Sequence, residues 1–324
     1  MTQQEWPTEK PSISYLSYQY FDSCERKWFN HYCHDTVIGD LKCSLRQQHK
    51  LMPWSALAGQ VVDDTLSEAL IKLRDTGEWS EDLIGEARQI YQRYIDFSVR
   101  FADAVTTKKP WPKGLEQPLD RYYYGEIPTN EQQRDVAAKV KRSLKNFEES
   151  SFLNWLKQFD ASTFRCAQRD MNAVPPWFQY EGVPIFAKYD FAITTPDHAY
   201  IIDWKTSDPS QSHNEKNVKL QLHGYAAYAI SEWGYSPENI TLIPFWLATD
   251  SRWFEEKVDL DLLNEIRESW IKRHALLKAR IVAHSDSPSD LVNEFPLTSN
   301  TRECRWCTFR SCPGYERVLT NPVA

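Results

Sequence analysis

The sequence predicts an α/β protein in which a mixed sheet is flanked by helices, and the order of its apolar segments supports this. Four segments have the length and apolar pattern of strands, at 163–171, 177–181, 183–194 and 198–206. A helical pattern at about 214–232 follows them, and a further strand comes at 239–248. A helix placed between strands in this way is typical of a sheet covered by helices.

Helical patterns also precede and follow this sheet region. We expect helices at 14–34, 59–73, 81–108, 130–158 and 259–282, and another short strand at 252–258. Asp259 stands where it can cap the last of these helices. The proline-rich stretch 109–128 is predicted to be a loop. Its residues Tyr122, Tyr123 and Tyr124 could stack on bases, but we interpret them as packing residues.

The chain is expected to form one compact unit with four parts. An N-terminal helical part at 1–80 carries Cys24 and Asp63, and a helical insert follows at 81–160. The core lies at 161–285, and a cysteine-rich tail at 286–324 ends the sequence. A chain of 324 residues is long enough to bury a sizeable core.

Composition narrows the class of protein. Hydrophobic residues make up 41% and charged residues 26%, which are globular values. The net charge of −7 argues against a nonspecific nucleic-acid coat protein, although a local basic channel can sit on an acidic body. We find no apolar run of about 18 residues and no signal-peptide core in the polar start, so a cytoplasmic protein without a membrane partner is expected.

The functional signal lies in the third and fourth predicted strands. Asp190 falls near the end of the third, and Asp203, Trp204 and Lys205 end the fourth. Strand alternation puts Asp203 and Lys205 on one face and Trp204 on the other. Two carboxylates and a lysine at strand ends are what metal-assisted phosphodiester cleavage needs, since carboxylates bind hard cations. Ordinary salt bridges at the strand ends are the alternative.

These residues resemble a known family. Asp190, the Asp203-x-Lys205 pair and Gln221-x-x-x-Tyr225 resemble the motifs of the PD-(D/E)XK nuclease superfamily, and in particular its RecB-like branch. That branch includes CRISPR-adaptation and AddB-type nucleases. The resemblance implies a restriction-endonuclease-like fold and cleavage of DNA, most readily as an exonuclease on single-stranded or frayed ends.

The resemblance also implies roles for individual residues. Asp190, Asp203 and the Trp204 carbonyl would hold one or two Mg²⁺ or Mn²⁺ ions, and Lys205 would stabilise charge or position the attacking water. Gln221 and Tyr225 would help to place the catalytic groups or the phosphate.

One position departs from the family pattern. Its members usually carry a metal-binding His four residues after a Gly, and the corresponding spacing here runs from Gly59 to Asp63. Asp63 is therefore expected as a metal ligand in place of the His. Asp64 and Glu68 on the same helix are alternatives, or face solvent.

The seven cysteines point to metal binding or packing before disulfides in a cytoplasmic protein. Cys304, Cys307 and Cys312 are clustered and need a fourth ligand, for which Cys24 and Cys33 are candidates. Nine helical residues would separate those two by about 14 Å, so both cannot bind one cluster unless the helix breaks.

The cysteine pattern is similar to that of iron–sulfur RecB-like nucleases, which pair three C-terminal cysteines with one N-terminal cysteine around a 4Fe–4S cluster. This resemblance favours Cys24 as the fourth ligand, with Cys43 and Cys166 unligated. Two details depart from the pattern: Glu25 replaces the usual Pro, and the gap from Cys307 to Cys312 is one residue short. Zn²⁺ is the alternative metal.

Two other functions fit the same sequence. One is a nuclease fold that has lost cleavage and only binds DNA, which the missing His favours and the intact Asp190, Asp203 and Lys205 oppose. The other is a scaffolding subunit of a repair, CRISPR-adaptation or phage-defence complex, in which other subunits would be partners alongside DNA.

Overall fold

The computed structural model describes residues 11–33, 39–114, 117–166, 175–208, 214–249, 252–284 and 288–320. The helices among them are α1 Tyr15–Ser23, α2 Glu25–Tyr32, α3 Gly39–Gln48, α4 Leu57–Thr76, α5 Leu83–Thr106, α6 Asp120–Tyr123, α7 Asn130–Glu149, α8 Phe152–Leu156, α9 Asn214–Tyr228, α10 Leu260–Ala283, α11 Pro288–Leu291, α12 Thr301–Arg305 and α13 Pro313–Thr320. The strands are β1 Ile13–Ser14, β2 Phe164–Cys166, β3 Trp177–Tyr180, β4 Val183–Phe186, β5 Phe191–Thr194, β6 Ala199–Lys205, β7 Ile240–Trp246, β8 Arg252–Trp253 and β9 Glu256–Lys257.

The strands of the described residues form two sheets. The larger runs in the order β2-β5-β6-β7-β8, with β9 also paired to β7, and the smaller runs β1-β4-β3. In the larger sheet β6 and β7 are parallel, with Asp203 opposite Pro244 and Lys205 opposite Trp246. The other pairs of that sheet are antiparallel. Because parallel neighbours need a crossover connection, α9 lies between β6 and β7 in the chain.

Helices cover the larger sheet, so the predicted fold class is confirmed. Alternate residues of β6 enter different cores: Ile202 and Trp204 pack with α4, α5 and α7, whereas Ile201 packs with α9. The insert contributes aromatic rings to the first core, since Phe147 stacks on Phe245 with 5.8 Å between the ring centroids. The strand order and the two cores place the polar end of β6 between α4 and α9.

The structure corrects two of the predicted elements. The helix expected at 14–34 is two helices, because Cys24 has the extended backbone angles φ −165° and ψ 112° and Ser14 already caps α1. The strand expected at 183–194 is also two strands, β4 and β5, which belong to different sheets. Asp190 therefore directly precedes β5 and does not lie near the end of one long strand. Apolar residues continue at helical spacing across the first break and alternate across the second, which is why the pattern did not reveal either break.

The other predicted helices and strands have the expected type, but some are divided or have shifted ends, and the stretch 109–128, predicted to be a loop, contains the short helix α6. The strand expected at 163–171 is described only as β2, since 167–174 lie outside the described residues. The segment 130–158 is divided into α7 and α8, and 252–258 into β8 and β9. Asp259 caps α10 as predicted, with Oδ1 accepting from the N–H groups of Asp261 and Leu262 at 3.0 and 3.1 Å.

The tail packs on the N-terminal helices and on the loop of the insert. Arg26 Nε donates to the Phe295 carbonyl at 2.7 Å, and the Trp28 ring stacks on Phe295. Tyr124 is half-buried and donates its hydroxyl to the Thr308 carbonyl at 2.5 Å, which joins the loop of the insert to the tail. Within the described ranges, no helix combines the length and apolar character needed to cross a membrane.

Candidate active site

The end of β6 presents a carboxylate and an ammonium group to the same side of the sheet. The Asp203 side chain is fully buried, and its Oδ2 lies 2.5 Å from Lys205 Nζ. Strand alternation explains this pairing, because residues two apart project from the same face. The arrangement predicted for Asp203 and Lys205 is confirmed.

Asp190 reaches the same strand from the start of β5. Its Oδ2 accepts a hydrogen bond from the backbone N–H of Trp204 at 3.0 Å. In the antiparallel pair of β5 with β6, Phe191 is opposite Ile202, which places Asp190 alongside Asp203. The two predicted carboxylates therefore lie together, although Asp190 comes from the segment that connects β4 of one sheet to β5 of the other.

Asp63 joins this group from α4. Its Oδ1 accepts from the indole Nε1–H of Trp204 at 3.2 Å, so one tryptophan contacts two of the three carboxylates. Gly59 allows the helix to come this close to β6, because a Cβ at Gly59 would lie 3.1 Å from Thr206 Oγ1. The structure thus places Asp63, which stands where the family usually has a His, at the predicted site.

The two alternatives to Asp63 on α4 have other partners. Asp64 is buried and accepts from the Tyr94 hydroxyl at 2.8 Å and from Gln60 Nε2 at 2.7 Å. Glu68 pairs with Arg93 at 2.7 Å on the surface. Asp64 therefore supports the helix position beside Asp63, and Glu68 lies on the outer side of the helix.

Gln221 and Tyr225 continue the row of polar groups on α9. Gln221 Oε1 accepts from Lys205 Nζ at 2.9 Å, and Gln221 Nε2 donates to the Tyr225 hydroxyl at 2.6 Å. The four-residue spacing puts both side chains on one helix face, as the sequence indicated. The amide fixes the position of the lysine ammonium, which also contacts Asp203.

The charges of the site are unbalanced. Burial, followed by the charges of Asp203 and Asp63, raises the pKa of Asp190 well above its usual range. Burial also raises the pKa of Asp203, against the opposing effect of Lys205. Burial alone would lower the pKa of Lys205, but the charges of Asp203 and Asp190 raise it instead. Three carboxylates thus share one ammonium group, which is unfavourable without a further cation.

The donor set fits Mg²⁺ or Mn²⁺. Among the described residues no N–H or O–H group donates to Asp203 Oδ1, although this atom is buried. A buried carboxylate oxygen without a donor is costly unless a cation binds it. Carboxylate oxygens are the ligands that hard divalent cations prefer. In the described part of the chain, however, no group of three or more His, Cys, Asp or Glu side chains already has the arrangement of a metal site.

The cysteines form a second group, away from the carboxylates. Cys24, Cys304, Cys307 and Cys312 all line one small cavity. The break between α1 and α2 turns Cys24 towards the tail, whereas Cys33 is buried in the neighbouring apolar core. Cys43 is exposed and Cys166 is buried beneath α4, and neither lines this cavity.

The cavity between these sulfurs is small, with a volume of about 20 Å³, which is the size of a single ion. At Gly314 an added Cβ would lie 3.1 Å from Cys304 Sγ and 3.8 Å from Cys312 Sγ, so glycine keeps a side chain away from the space beside these sulfurs. Burial raises the pKa of Cys307 to about 11 and also raises the pKa values of Cys304 and Cys312. These thiols are protonated until a metal ion displaces the proton.

Sequence reasoning missed the residues that hold the site together. The Trp204 indole, Gln60 and Tyr94 position Asp63 and its neighbour Asp64. Alternation indicated that Trp204 points away from Lys205, but only the packing of α4 shows what it meets. Tyr15 was also missed: it lines a cavity together with Gln221 and Tyr225, and burial followed by the charge of Asp203 raises its pKa.

The fold and this site agree with a comparison against protein families. The family described as the PD-(D/E)XK nuclease superfamily matches residues 12–313, which is most of the chain. The protein therefore belongs to the PD-(D/E)XK nuclease superfamily. A search of curated proteins found no match.

Proposed function

We propose that the protein is a metal-dependent deoxyribonuclease of the RecB-like branch, and that it acts as an exonuclease on single-stranded or frayed DNA ends. The observation that carries this proposal is the grouping of Asp63, Asp190 and Asp203 around the end of β6, with Lys205 Nζ 2.5 Å from Asp203. Membership of the superfamily supports phosphodiester cleavage. The preference for DNA ends rests on the resemblance to the RecB-like branch.

Different residues would bind the metal ion and stabilise the charge on the phosphate. Asp190, Asp203 and Asp63, with the Trp204 carbonyl, would hold Mg²⁺ or Mn²⁺, which supplies Lewis-acid stabilisation of the phosphate charge. Lys205 would neutralise charge that develops on the phosphate, in a position fixed by Asp203 and Gln221. Tyr225 in turn fixes Gln221 through the 2.6 Å hydrogen bond.

We further propose that Cys24, Cys304, Cys307 and Cys312 bind a 4Fe–4S cluster, with Zn²⁺ as the alternative. Their shared cavity and the space left by Gly314 support a bound group at this position. A cluster there would join the α1–α2 junction to the tail, near opposite ends of the chain. Thiolate ligands are suited to both iron–sulfur clusters and zinc.

Product lengths test the proposed activity. Protein purified without oxygen is incubated with 5′- and 3′-labelled single- and double-stranded DNA in Mg²⁺, in Mn²⁺ and in EDTA. We expect mononucleotides or short oligonucleotides released progressively from one end, in both metals and not in EDTA. Internal fragments would indicate an endonuclease, and a gel shift without products would show that the protein only binds DNA.

The metal preference should depend on Asp63. A carboxylate in place of a His nitrogen gives an all-oxygen ligand set, which suits Mg²⁺, so activity in Mg²⁺ should match that in Mn²⁺. Asp63→His should shift the preference towards Mn²⁺, and Asp63→Ala should lower activity in both metals. Titrations of cleavage against each metal measure the effect, with Glu68→Ala on the outer side of α4 as the matched control. If Asp63→Ala behaves as wild type in both metals, Asp63 is not a ligand.

Trp204 should act on metal binding through its indole N–H. Trp204→Phe keeps an aromatic ring in the core but removes the donor to Asp63. Mutating a residue that hydrogen-bonds to a metal ligand typically lowers metal affinity or activity 10- to 100-fold. We therefore expect the Mg²⁺ concentration for half-maximal cleavage to rise about 10-fold. The rate at saturating Mg²⁺ should change much less.

The control is Trp253→Phe, which removes an indole hydrogen bond to Ser151 Oγ at 3.1 Å from a tryptophan packed at the edge of the same core. That variant should keep the wild-type Mg²⁺ dependence. An equal shift in both variants would mean that the effect comes from core packing and not from the contact with Asp63.

A further inference from the structure

A cavity of about 330 Å³ lies directly beside the carboxylate site. It is an open cavity lined by residues of α1, the end of β4, α9 and α10, and two of its lining residues are Gln221 and Tyr225. The same two side chains hold Lys205 in place. Tyr15, the first residue of α1, also lines the cavity. The cavity is therefore continuous with the proposed catalytic residues Lys205, Gln221 and Tyr225.

Aromatic rings form much of its wall. Tyr15, Tyr18, Phe186 and Trp270 contribute to the lining. Tyr18 is held firmly, because the Arg273 guanidinium lies 3.5 Å from its ring centroid and also donates to its carbonyl at 3.2 Å. Trp270 is buried in the core on its other sides. A wall of fixed aromatic rings is suited to stacking against a planar ligand, since little ordering remains to be done on binding.

Three charged side chains line the same cavity, and they differ in whether they form an ion pair. Asp22 is paired with Arg273 at 2.7 Å. Glu265 is exposed on α10 and forms no ion pair with any residue that the structure describes. Its carboxylate would repel a phosphate but can accept a hydrogen bond from an amino group. Lys216, exposed on α9, adds a positive charge to the lining that suits the phosphate of the same nucleotide.

We propose that this cavity binds one unpaired nucleotide of the substrate strand, next to the phosphate that is cleaved. The base stacks on the aromatic wall, and Glu265 accepts from its exocyclic amino group. Adenine, guanine and cytosine carry such a group and thymine does not, so the cavity favours the first three. This inference rests on the proposed nuclease function, because it uses the strand that the carboxylate site would hold.

The size of the cavity supports a single nucleotide. Its volume lies at the lower end of the range of about 300–1,000 Å³ for small-molecule sites. One unstacked nucleoside fits such a space, whereas a base pair with both backbones does not. The cavity thus gives a structural reason for a preference for single-stranded or frayed ends.

Base stacking can be measured without cleavage. Single-stranded DNA oligonucleotides carrying one 2-aminopurine at successive positions from the end are bound in EDTA, and the fluorescence of the probe is followed. We expect quenching to be strongest at one position, where the probe stacks in the cavity. Tyr18→Leu should weaken binding of that oligonucleotide about 10-fold, since base–aromatic stacking contributes on the order of 1–3 kcal/mol per base.

Competition measures the base preference. Unlabelled oligonucleotides with cytosine or thymine at the quenched position compete with the probe, and cytosine should compete about five-fold better, which is the lower end of the discrimination expected from a base-edge contact. Glu265→Gln should reduce this ratio towards one, because an amide also donates to thymine. The matched control is Glu268→Gln, also on the surface of α10 but outside the cavity lining, where it pairs with Lys272.

The outcomes separate this inference from the proposed activity. Uniform quenching along the strand, or a cytosine preference that Glu265→Gln leaves unchanged, would overturn the nucleotide cavity. Failure of the nuclease proposal would appear instead as intact DNA after incubation in Mg²⁺, whatever the quenching pattern. Glu265→Gln changes an exposed side chain, so the test stands even if Tyr18→Leu fails to fold.

Discussion

Asp203→Asn is expected to abolish DNA cleavage while leaving DNA binding nearly unchanged. Asp203 is fully buried, contacts Lys205 and lies alongside Asp190, so its charge acts within the proposed metal site and not on the protein surface. Removing it should lower the cleavage rate on the order of 10³-fold, as for other lost electrostatic contacts to a reacting group. Phosphate contacts elsewhere supply most of the affinity for DNA.

Stability distinguishes this effect from misfolding. Without a divalent cation the three carboxylates repel one another, and burial raises the pKa of Asp203. A neutral amide removes part of that repulsion, so Asp203→Asn should be at least as stable as wild type in EDTA. Lys205→Ala should also lose cleavage, but it leaves a buried carboxylate without its counter-charge and should cost about 3 kcal/mol of stability.

A matched control for the lysine is Lys219→Ala, an exposed position on α9. It should keep cleavage and stability. Thermal melts in EDTA and in Mg²⁺ measure the stability of each variant, and cleavage at saturating DNA measures its rate. Wild-type cleavage by either Asp203→Asn or Lys205→Ala would show that the active site lies elsewhere.

Cys304→Ser or Cys307→Ser is expected to remove the proposed cluster and to lower thermal stability. Wild-type protein purified without oxygen should be brown and contain iron and acid-labile sulfide, and both should be lost in these variants. A ligand at 1,000 times its Kd stabilises the native state by about 4 kcal/mol, so its loss should lower Tm by roughly 5–10 °C. The tail should stay folded in part, because Arg26 and Trp28 still hold Phe295.

The remaining cysteines provide controls for this prediction. Cys43→Ser changes an exposed residue outside the cavity and should keep full iron content. Cys24→Ser should behave like Cys304→Ser, whereas Cys33→Ser should retain the cluster because Cys33 does not line the cavity. Stoichiometric zinc without iron in the wild-type protein would replace the iron–sulfur assignment by a zinc site.

The fold class and most elements could be predicted because their residues repeat with the period of a helix or strand. Asp203 and Lys205 were paired correctly for the same reason, since alternation along β6 fixes their relative direction. The breaks at Cys24 and before Asp190 could not be predicted. Both keep the apolar pattern intact, and only packing against other elements determines where the chain turns.

Contacts between distant segments account for what the sequence did not reveal about the site. The hydrogen bond between Trp204 and Asp63 joins residues 141 positions apart, and no local pattern encodes it. Similarly, the cavity beside Gln221 depends on α1 and α10 meeting α9. The break at Cys24 also resolved the choice between Cys24 and Cys33 as the residue facing the tail cysteines.

One measurement tests the central claim most directly. End-labelled single-stranded DNA is incubated with the full-length protein, purified without oxygen, in Mg²⁺ and in EDTA, beside Lys205→Ala and Lys219→Ala. The account predicts cleavage by wild type and Lys219→Ala in Mg²⁺ alone, and none by Lys205→Ala although it binds the DNA. Intact DNA with the wild-type protein in Mg²⁺, or equal cleavage by Lys205→Ala, would contradict it.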